Sequence, residues 1–171
     1  MSIKLDDKDL TILLLIQENS KLTANQIAKK INTPITTVFA KIKRMEELGI
    51  IKQYRAILSA EKLNLTTTAF IFASVFYSDK TDGSPIITQR DIAKEIAQLP
   101  EVQEVHIITG DWDLLIKIRT ENINATGKFV VDKLRHIIGL QKTLTCMVFE
   151  TIKETTALQE IFQKKTSQNP I

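Results

Sequence analysis

The stretch "TANQIAKKINTPITTVFAKIKRMEELG", residues 23–49, carries the sharpest local signals in the chain. Thr23 and Gln26 have the spacing of a capping box, in which each side chain bonds the other's backbone N–H, and Ile27, Ala28 and Ile31 follow at helical spacing. Asn32 tolerates the left-handed backbone of a tight turn. Thr33 is then expected to cap another helix that begins at Pro34, where a missing N–H costs nothing. This helix places Pro34, Val38, Ile42 and Met45 on one face and stops at Gly49. Thr36, Thr37, Ala40, Lys43 and Arg44 lie opposite that face. Two helices joined by a turn of about four residues form a helix-turn-helix once a further helix braces them.

That brace lies upstream in "LDDKDLTILLLIQENS", residues 5–20. Asp6 is the expected N-cap, Asp9 follows three residues on, and both suit the positive end of a helix. Leu10, Leu13, Leu14 and Gln17 share helical spacing, as do Ile12 and Ile16. Charge points the same way. The chain of 171 residues has a net charge of +3, yet residues 21–60 hold eight Lys/Arg against two Glu. Residues 61–171 hold thirteen bases and fourteen acids. A basic segment so confined suits a polyanion, or else is a solvated helical face. Within the recognition segment, small hydroxylated side chains near a helix start reach base edges, while Lys and Arg reach phosphate or guanine. The competing reading is a three-helix protein-binding module.

Downstream the pattern changes. "GIIKQYRAILSA" alternates as a strand or strand-like linker, and "TTAFIFASVFY" reads as a strand followed by the polar loop "DKTDGSP". "TQRDIAKEIAQL" is an amphipathic helix closed by Pro100, and "EVQEVHIIT" and "WDLLIKIRT" are strands around a "GD" turn. "NINATGKFVVDKLRHI" is a second helix, "QKTLTCMVFET" a fourth strand, and "KETTALQEIFQKK" a C-terminal helix or tail. The order β-α-β-β-α-β is the ferredoxin-like arrangement, which leaves one sheet face without helices. That face is expected to be apolar, with Val75, Phe72, Leu115 and Met147 or Val148 as candidates, and to pack on another copy of the chain. The expected class is therefore α+β, a winged-type helix-turn-helix domain over residues 1–50 and a ferredoxin-like βαββαβ domain over 67–155. A linker strand over 51–66 joins them and a helix or tail over 156–171 follows.

Chemistry of other kinds is poorly supplied. Cys146 is the only cysteine, which excludes an internal disulfide and a cysteine-based zinc site. Asp111 and Asp113 alternate across a strand and make a poor acid/base pair. His106 and His136 have no recognisable nucleophile motif beside them, and no P-loop, zinc-ligand spacing or nucleotide fingerprint occurs. Asp111, Asp113 and His106 are too few ligands for a metal. No enzyme, metal or cofactor is expected. The N-terminus lacks an apolar h-region and no apolar run reaches spanning length, so no membrane partner is expected and the location is read as cytoplasmic.

From Leu5, Asp6, Asp9, Ile12, Leu13, Ile16, Gln17, Asn19 and Ser20, through "VFAKIKRMEELGIIKQYRAIL", to "LPEVQEVHIITGDWDLLIKIRT", the chain resembles the leucine-responsive regulatory protein / asparagine-operon regulator (Lrp/AsnC) family of transcription factors. The resemblance spans about residues 5–155. Asn32 stands where the family usually has Gly, Gln53 and Asn64 replace frequent glycines, and Lys41 replaces a frequent Arg. "SDKTDGSPIITQ" is longer than usual, and "IIGL" lacks a common proline.

The resemblance implies a regulator of double-stranded DNA that responds to a small amino-acid effector. The DNA-binding candidates are Thr33, Thr36, Thr37, Ala40, Lys41, Lys43 and Arg44. The ligand-binding candidates are Thr109, Gly110, Asp111, Asp113 and Met147, at contacts between dimers. Glycine lets backbone amides approach a ligand carboxylate, and a carboxylate can receive an ammonium group. The same two acids can instead form a turn and an oligomer contact, and Trp112 and Met147 can be packing residues. The resemblance further implies a homodimer assembling to a higher homo-oligomer, with an octamer as the expected size and tetramers or open arrays as alternatives. A DNA-architectural regulator of the same fold, without an effector, remains the second reading.

Overall fold

The computed structural model describes residues 3–76 and 87–158. The expected loop "DKTDGSP" and residues 159–171 of the expected tail lie outside the described residues. The chain divides into two compact units. One holds the residues up to Ile57 together with those from Glu154, and the other is Leu58–Lys153.

The first unit contains α1 (Asp7–Glu18), α2 (Ala24–Lys30) and α3 (Ile35–Glu47). Asp6 and Asp9 close a capping box at α1, with Asp9 N donating to Asp6 Oδ1 at 2.8 Å and Asp6 N to Asp9 Oδ2 at 2.9 Å. Thr23 and Gln26 do the same at α2. Ile12, Ile27, Ala28, Val38 and Met45 form the core, and Leu13, Ile16, Ile31, Ile42 and Ile50 pack around them. Each fully buried large side chain contributes about 1.5–3 kcal/mol, so these few positions hold the three helices together. Pro34, expected on the apolar face, is exposed.

The turn between α2 and α3 contains Asn32 at φ +46, as its residue type allows. Thr33 does not cap α3. It is buried, its N donates to Ala28 O, and its hydroxyl donates to Ile31 O at 3.1 Å. With that hydroxyl committed to the turn, the cap position falls to Pro34, extended at ψ 139 and without a side-chain capping bond. α3 ends as expected. Gly49 N donates to Glu46 O and Ile50 N to Met45 O, the paired bonds of a Schellman stop.

Residues 51–66 hold no strand. They run irregularly to a 3-10 turn at Glu61–Leu63, closed by Asn64 at φ +61. Alternating β-rich residues become a strand only against a neighbour, and among the described residues none pairs with them. At the other end, residues 154–158 are not helical, and Leu158 N donates to Gln17 Oε1.

The second unit is a four-stranded antiparallel sheet in the order β2-β3-β1-β4, built from β1 (Thr67–Val75), β2 (Val102–Ile107), β3 (Leu114–Thr120) and β4 (Leu140–Met147). Helix α4 (Gln89–Ile96) and helix α5 (Ile123–Lys128) complete the βαββαβ order. Ala69, Ile71, Ala73 and Val75 of β1 and Leu114, Ile116 and Ile118 of β3 share one face with Ile92, Ile96, Phe129 and Leu134. The helix read over 122–137 is not uniform. After α5 it widens into a π turn at Phe129–Lys133 and then tightens at Leu134–His136. The wider turn keeps Phe129 and Leu134, five residues apart, both on the core.

The opposite sheet face differs from expectation. Val75 and Met147 belong to the covered face, because Val75 is buried and Met147 pairs with Ala69 and packs on the core. Strand alternation instead puts Phe70, Phe72, Leu115, Leu144 and Cys146 on the other side, with Lys117 and Glu104 among them. Lys117 Nζ lies 3.2 Å from Glu104 Oε1, and His106 Nε2 lies 3.1 Å from Glu104 Oε2. The face is part apolar and part ionic, since the run "LLIKIRT" alternates Leu114, Ile116, Ile118 and Thr120 with a set that includes Lys117 and Arg119.

Candidate nucleic-acid interface and effector turn

Packing Val38, Ile42 and Met45 inward turns the other side of α3 toward solvent. Thr36, Ala40, Lys43 and Arg44 are exposed and Thr37 is half-buried. Thr36, Thr37, Ala40, Lys41 and Arg44 line a shallow open concavity of about 400 Å³. Six of the seven candidates thus belong to α3, while Thr33 stays inside the turn before it.

The cations on this surface differ from one another. The Lys43 side chain is 64% exposed and faces Glu47 across a loose 3.9 Å pair. Lys41 is only 16% exposed and reaches back to α1, 2.5 Å from Asp6 Oδ2 and 2.9 Å from Asp9 Oδ1. Arg44 stands between these cases. It is 49% exposed, donates to Lys4 O at 3.1 Å and lies 3.7 Å from Asp9 Oδ2. Asp9 is almost fully buried, so its charge needs these partners.

The bond from Lys41, with the Asp9 backbone N–H, holds the Asp6 carboxyl down at about 2. Burial disfavours the Lys41 ammonium, yet its bonds to Asp6 and Asp9 prevail and its pKa lies above the ordinary value. Lys41 is therefore a tie between α1 and α3 in this structure, not an outward cation. The sequence offered no sign of this, because its partners lie 32 and 35 residues away.

A further feature of α3 is visible in the sequence. Ile35, Phe39 and Lys43 follow one another at four-residue steps off the apolar stripe, and Phe39 is 64% exposed. Further along, burial together with Glu46 raises the Tyr54 phenol to about 12, so it stays protonated and donates to Glu46 Oε1 at 2.8 Å.

The turn before β3 is open. Thr109, Gly110 and Asp111 are exposed, and Gly110 has φ +117 with no atom within 4 Å of where a Cβ would stand. Only glycine adopts that backbone without strain, so the turn conformation, not crowding, requires it. Trp112 packs on Phe72 with ring centroids 6.2 Å apart, and Lys142 Nζ sits 5.3 Å from its ring. Asp113 is bound into the scaffold. Its Oδ2 accepts from Val75 N at 2.8 Å, its O accepts from Ile108 N and from Gln89 Nε2, and its N donates to Ala73 O.

Met147 does not join this turn within the chain. It pairs with Ala69, whereas the turn adjoins Ala73, four residues and about 13 Å along β1. Among the described residues, no three His, Cys, Asp or Glu side chains converge on a metal-sized site. No helix there is long and apolar enough to cross a membrane.

A three-helix unit with an exposed third helix and a βαββαβ unit define a class: a helix-turn-helix transcriptional regulator with a second, sheet domain. Residues 5–52 match the winged helix-turn-helix DNA-binding family and residues 87–158 the Lrp/AsnC ligand binding domain. An uncharacterised HTH-type transcriptional regulator of Pyrococcus abyssi is 42% identical over 150 residues, covering 88% of this chain and 96% of the relative. The HTH-type transcriptional regulator FL11 of Pyrococcus horikoshii is 32% identical over 158 residues, covering 92% and 98%. In solved structures, a transcriptional regulator of Neisseria meningitidis in complex with L-Met superposes with a TM-score of 0.81 at 32% identity, covering 91% of this chain and 96% of that one. The chain belongs to the Lrp/AsnC family of transcriptional regulators.

Proposed function

We propose that this regulator docks the outer face of α3 in the major groove of duplex DNA and adjusts that binding to a small amino acid held at the 109–113 turn, between dimers of the chain. The carrying observation is the split on α3: the Lys41 ammonium is spent on α1, while Thr36, Ala40, Lys43 and Arg44 stay exposed on the outer side of the helix. Thr36 and Ala40 suit base edges, Lys43 and Arg44 suit phosphate. Lys41 and Thr33 shape the unit without touching DNA.

At the turn, the backbone amides around Gly110 and the exposed Asp111 are the groups left for a ligand's carboxylate and ammonium. Met147 enters only if another chain brings it near. The L-Met complex of the Neisseria meningitidis relative makes L-Met the first effector to try. The part-apolar sheet face suits a homodimer, and the turns then meet in a higher assembly acting in the cytoplasm.

The second reading, an architectural regulator without an effector, is favoured by Asp113, whose carboxylate already serves Val75 N. The two are separated by thermal shift and DNA titration of the full chain against each of the twenty amino acids. A ligand that binds the native state raises the melting temperature with its concentration, and linkage requires DNA to alter its affinity by the same factor as it alters DNA affinity. No shift in melting temperature, oligomer size or DNA affinity at millimolar concentration leaves the architectural reading.

A further inference from the structure

Phe39 is a large apolar side chain left 64% exposed on the same helix as the basic face, with Ile35, 48% exposed, one turn before it and Lys43 one turn after. Val38, its neighbour in sequence, is fully buried, so Phe39 is not a core residue displaced by poor packing. The adjoining row of the helix holds Thr36 and Ala40, both exposed, whose small side chains let a partner approach closely. Of the cations on this helix, Lys43 is the most exposed and is paired only loosely, with Glu47. A polyanion meets the charge. Within the DNA major groove, a side chain without hydrogen-bonding groups cannot read donors and acceptors, and the one apolar feature there is the thymine C5-methyl.

We propose that Phe39, flanked by Ile35, reads thymine methyl groups in the major groove and is a specificity-determining residue of the DNA interface. This rests on α3 being the recognition helix, and it adds a preference for A·T pairs at fixed positions of each half-site. Lys43 supplies the adjoining phosphate contact. Its loose pair with Glu47 is surface-exposed and gives way at little cost.

The probe is the duplex recovered by the full wild-type chain from a random-sequence pool, with each thymine replaced in turn by deoxyuridine. That change deletes the methyl and leaves pairing and charge intact. Wild type should lose about fourfold in affinity at each contacted methyl, the worth of one buried methyl group. Phe39→Ala should bind the thymine duplex more weakly, lose nothing further on deoxyuridine, and keep the wild-type salt slope. Phe39→Leu should keep part of the methyl response, and serves as the comparison should Phe39→Ala melt early. Lys43→Ala should lower the salt slope yet stay methyl-sensitive.

Wild-type affinity and methyl sensitivity in Phe39→Ala overturn the inference, as does a wild type indifferent to every deoxyuridine. So does a Phe39→Ala chain that changes sedimentation while DNA binding is intact. If no duplex is recovered, or Lys43→Ala and Arg44→Ala both keep wild-type affinity and slope, the recognition-helix reading itself fails and this inference falls with it.

Discussion

The helical unit and the sheet unit each carry a pair of like charges two residues apart: Lys41 and Lys43 on α3, Asp111 and Asp113 in the turn before β3. In both pairs one member is scaffold and the other is surface, and the causes differ. On a helix, two residues turn the chain by about 200°, so Lys41 swings onto α1 while Lys43 faces out. At the turn, strand-like alternation sends Asp113 toward the end of β1 and Asp111 to solvent. Lys41 answers a buried charge, Asp9, whereas Asp113 answers a neutral amide, Val75 N. Residue type and local charge density therefore say little about which ion is available to a ligand. The partner decides.

Removing Lys41 tests this contrast most severely. Lys41→Met should destabilise the helical unit by about 3 kcal/mol, because it strips the nearly buried Asp9 of its main partner. Lys43→Met should stay within about 0.5 kcal/mol. Helical circular dichroism during urea unfolding reads the difference, and equal effects would break the distinction between the two lysines.

Next in size, Asp113→Ala should cost the sheet unit about 2 kcal/mol through the orphaned Val75 N–H, against about 0.5 or less for Asp111→Ala. Trp112, the only tryptophan, lies at this turn, so its fluorescence during unfolding follows that unit. A neutral Asp113→Ala together with a costly Asp111→Ala would reverse the assignment at the turn.

On DNA the ranking of the lysines should invert. Lys43→Ala should lower the salt slope of binding by about 1, as one phosphate contact is lost. Lys41→Arg, which can keep its bonds to Asp6 and Asp9, should leave the slope unchanged. A slope that falls for Lys41→Arg and not for Lys43→Ala would place Lys41 at the phosphate.

The smallest expected effect is on pH. The Asp6 carboxyl is held at about 2, below its value in the unfolded chain, so its contribution is present at neutral pH and is lost as pH falls from about 4 toward 2. Asp6→Asn should flatten that part of the stability curve in the helical unit. An unchanged acid limb would mean that the Lys41 tie is not held in solution.

Much of the architecture was legible because it is local. The Asp6 cap, the Thr23/Gln26 box, the left-handed Asn32 and the Gly49 stop depend on neighbours within a few positions, and each reads directly from residue type and spacing. The outer face of α3 followed from the apolar stripe opposite. Less was legible wherever a second element takes part. Thr33 looked like a cap until the buried turn claimed its hydroxyl. The alternation in "GIIKQYRAILSA" looked like a strand or strand-like linker, yet a strand requires a neighbour. Val75 and Met147 looked available to the open sheet face, but register, which a single strand's alternation cannot supply, put them on the covered one.

What the sequence by itself determined, then, are the features set by residue type and spacing along the chain: the starts of the first two helices, the Gly49 stop, the helix-turn-helix, the βαββαβ order and the basic segment. What only the tertiary structure decided is how each charge is spent. Lys41 is tied to Asp9 across 32 residues, and Asp113 to Val75 across 38. The reason is physical. Capping and periodicity are short-range, whereas the burial of an ion is settled by the groups that folding brings around it, and those groups have no fixed spacing along the chain.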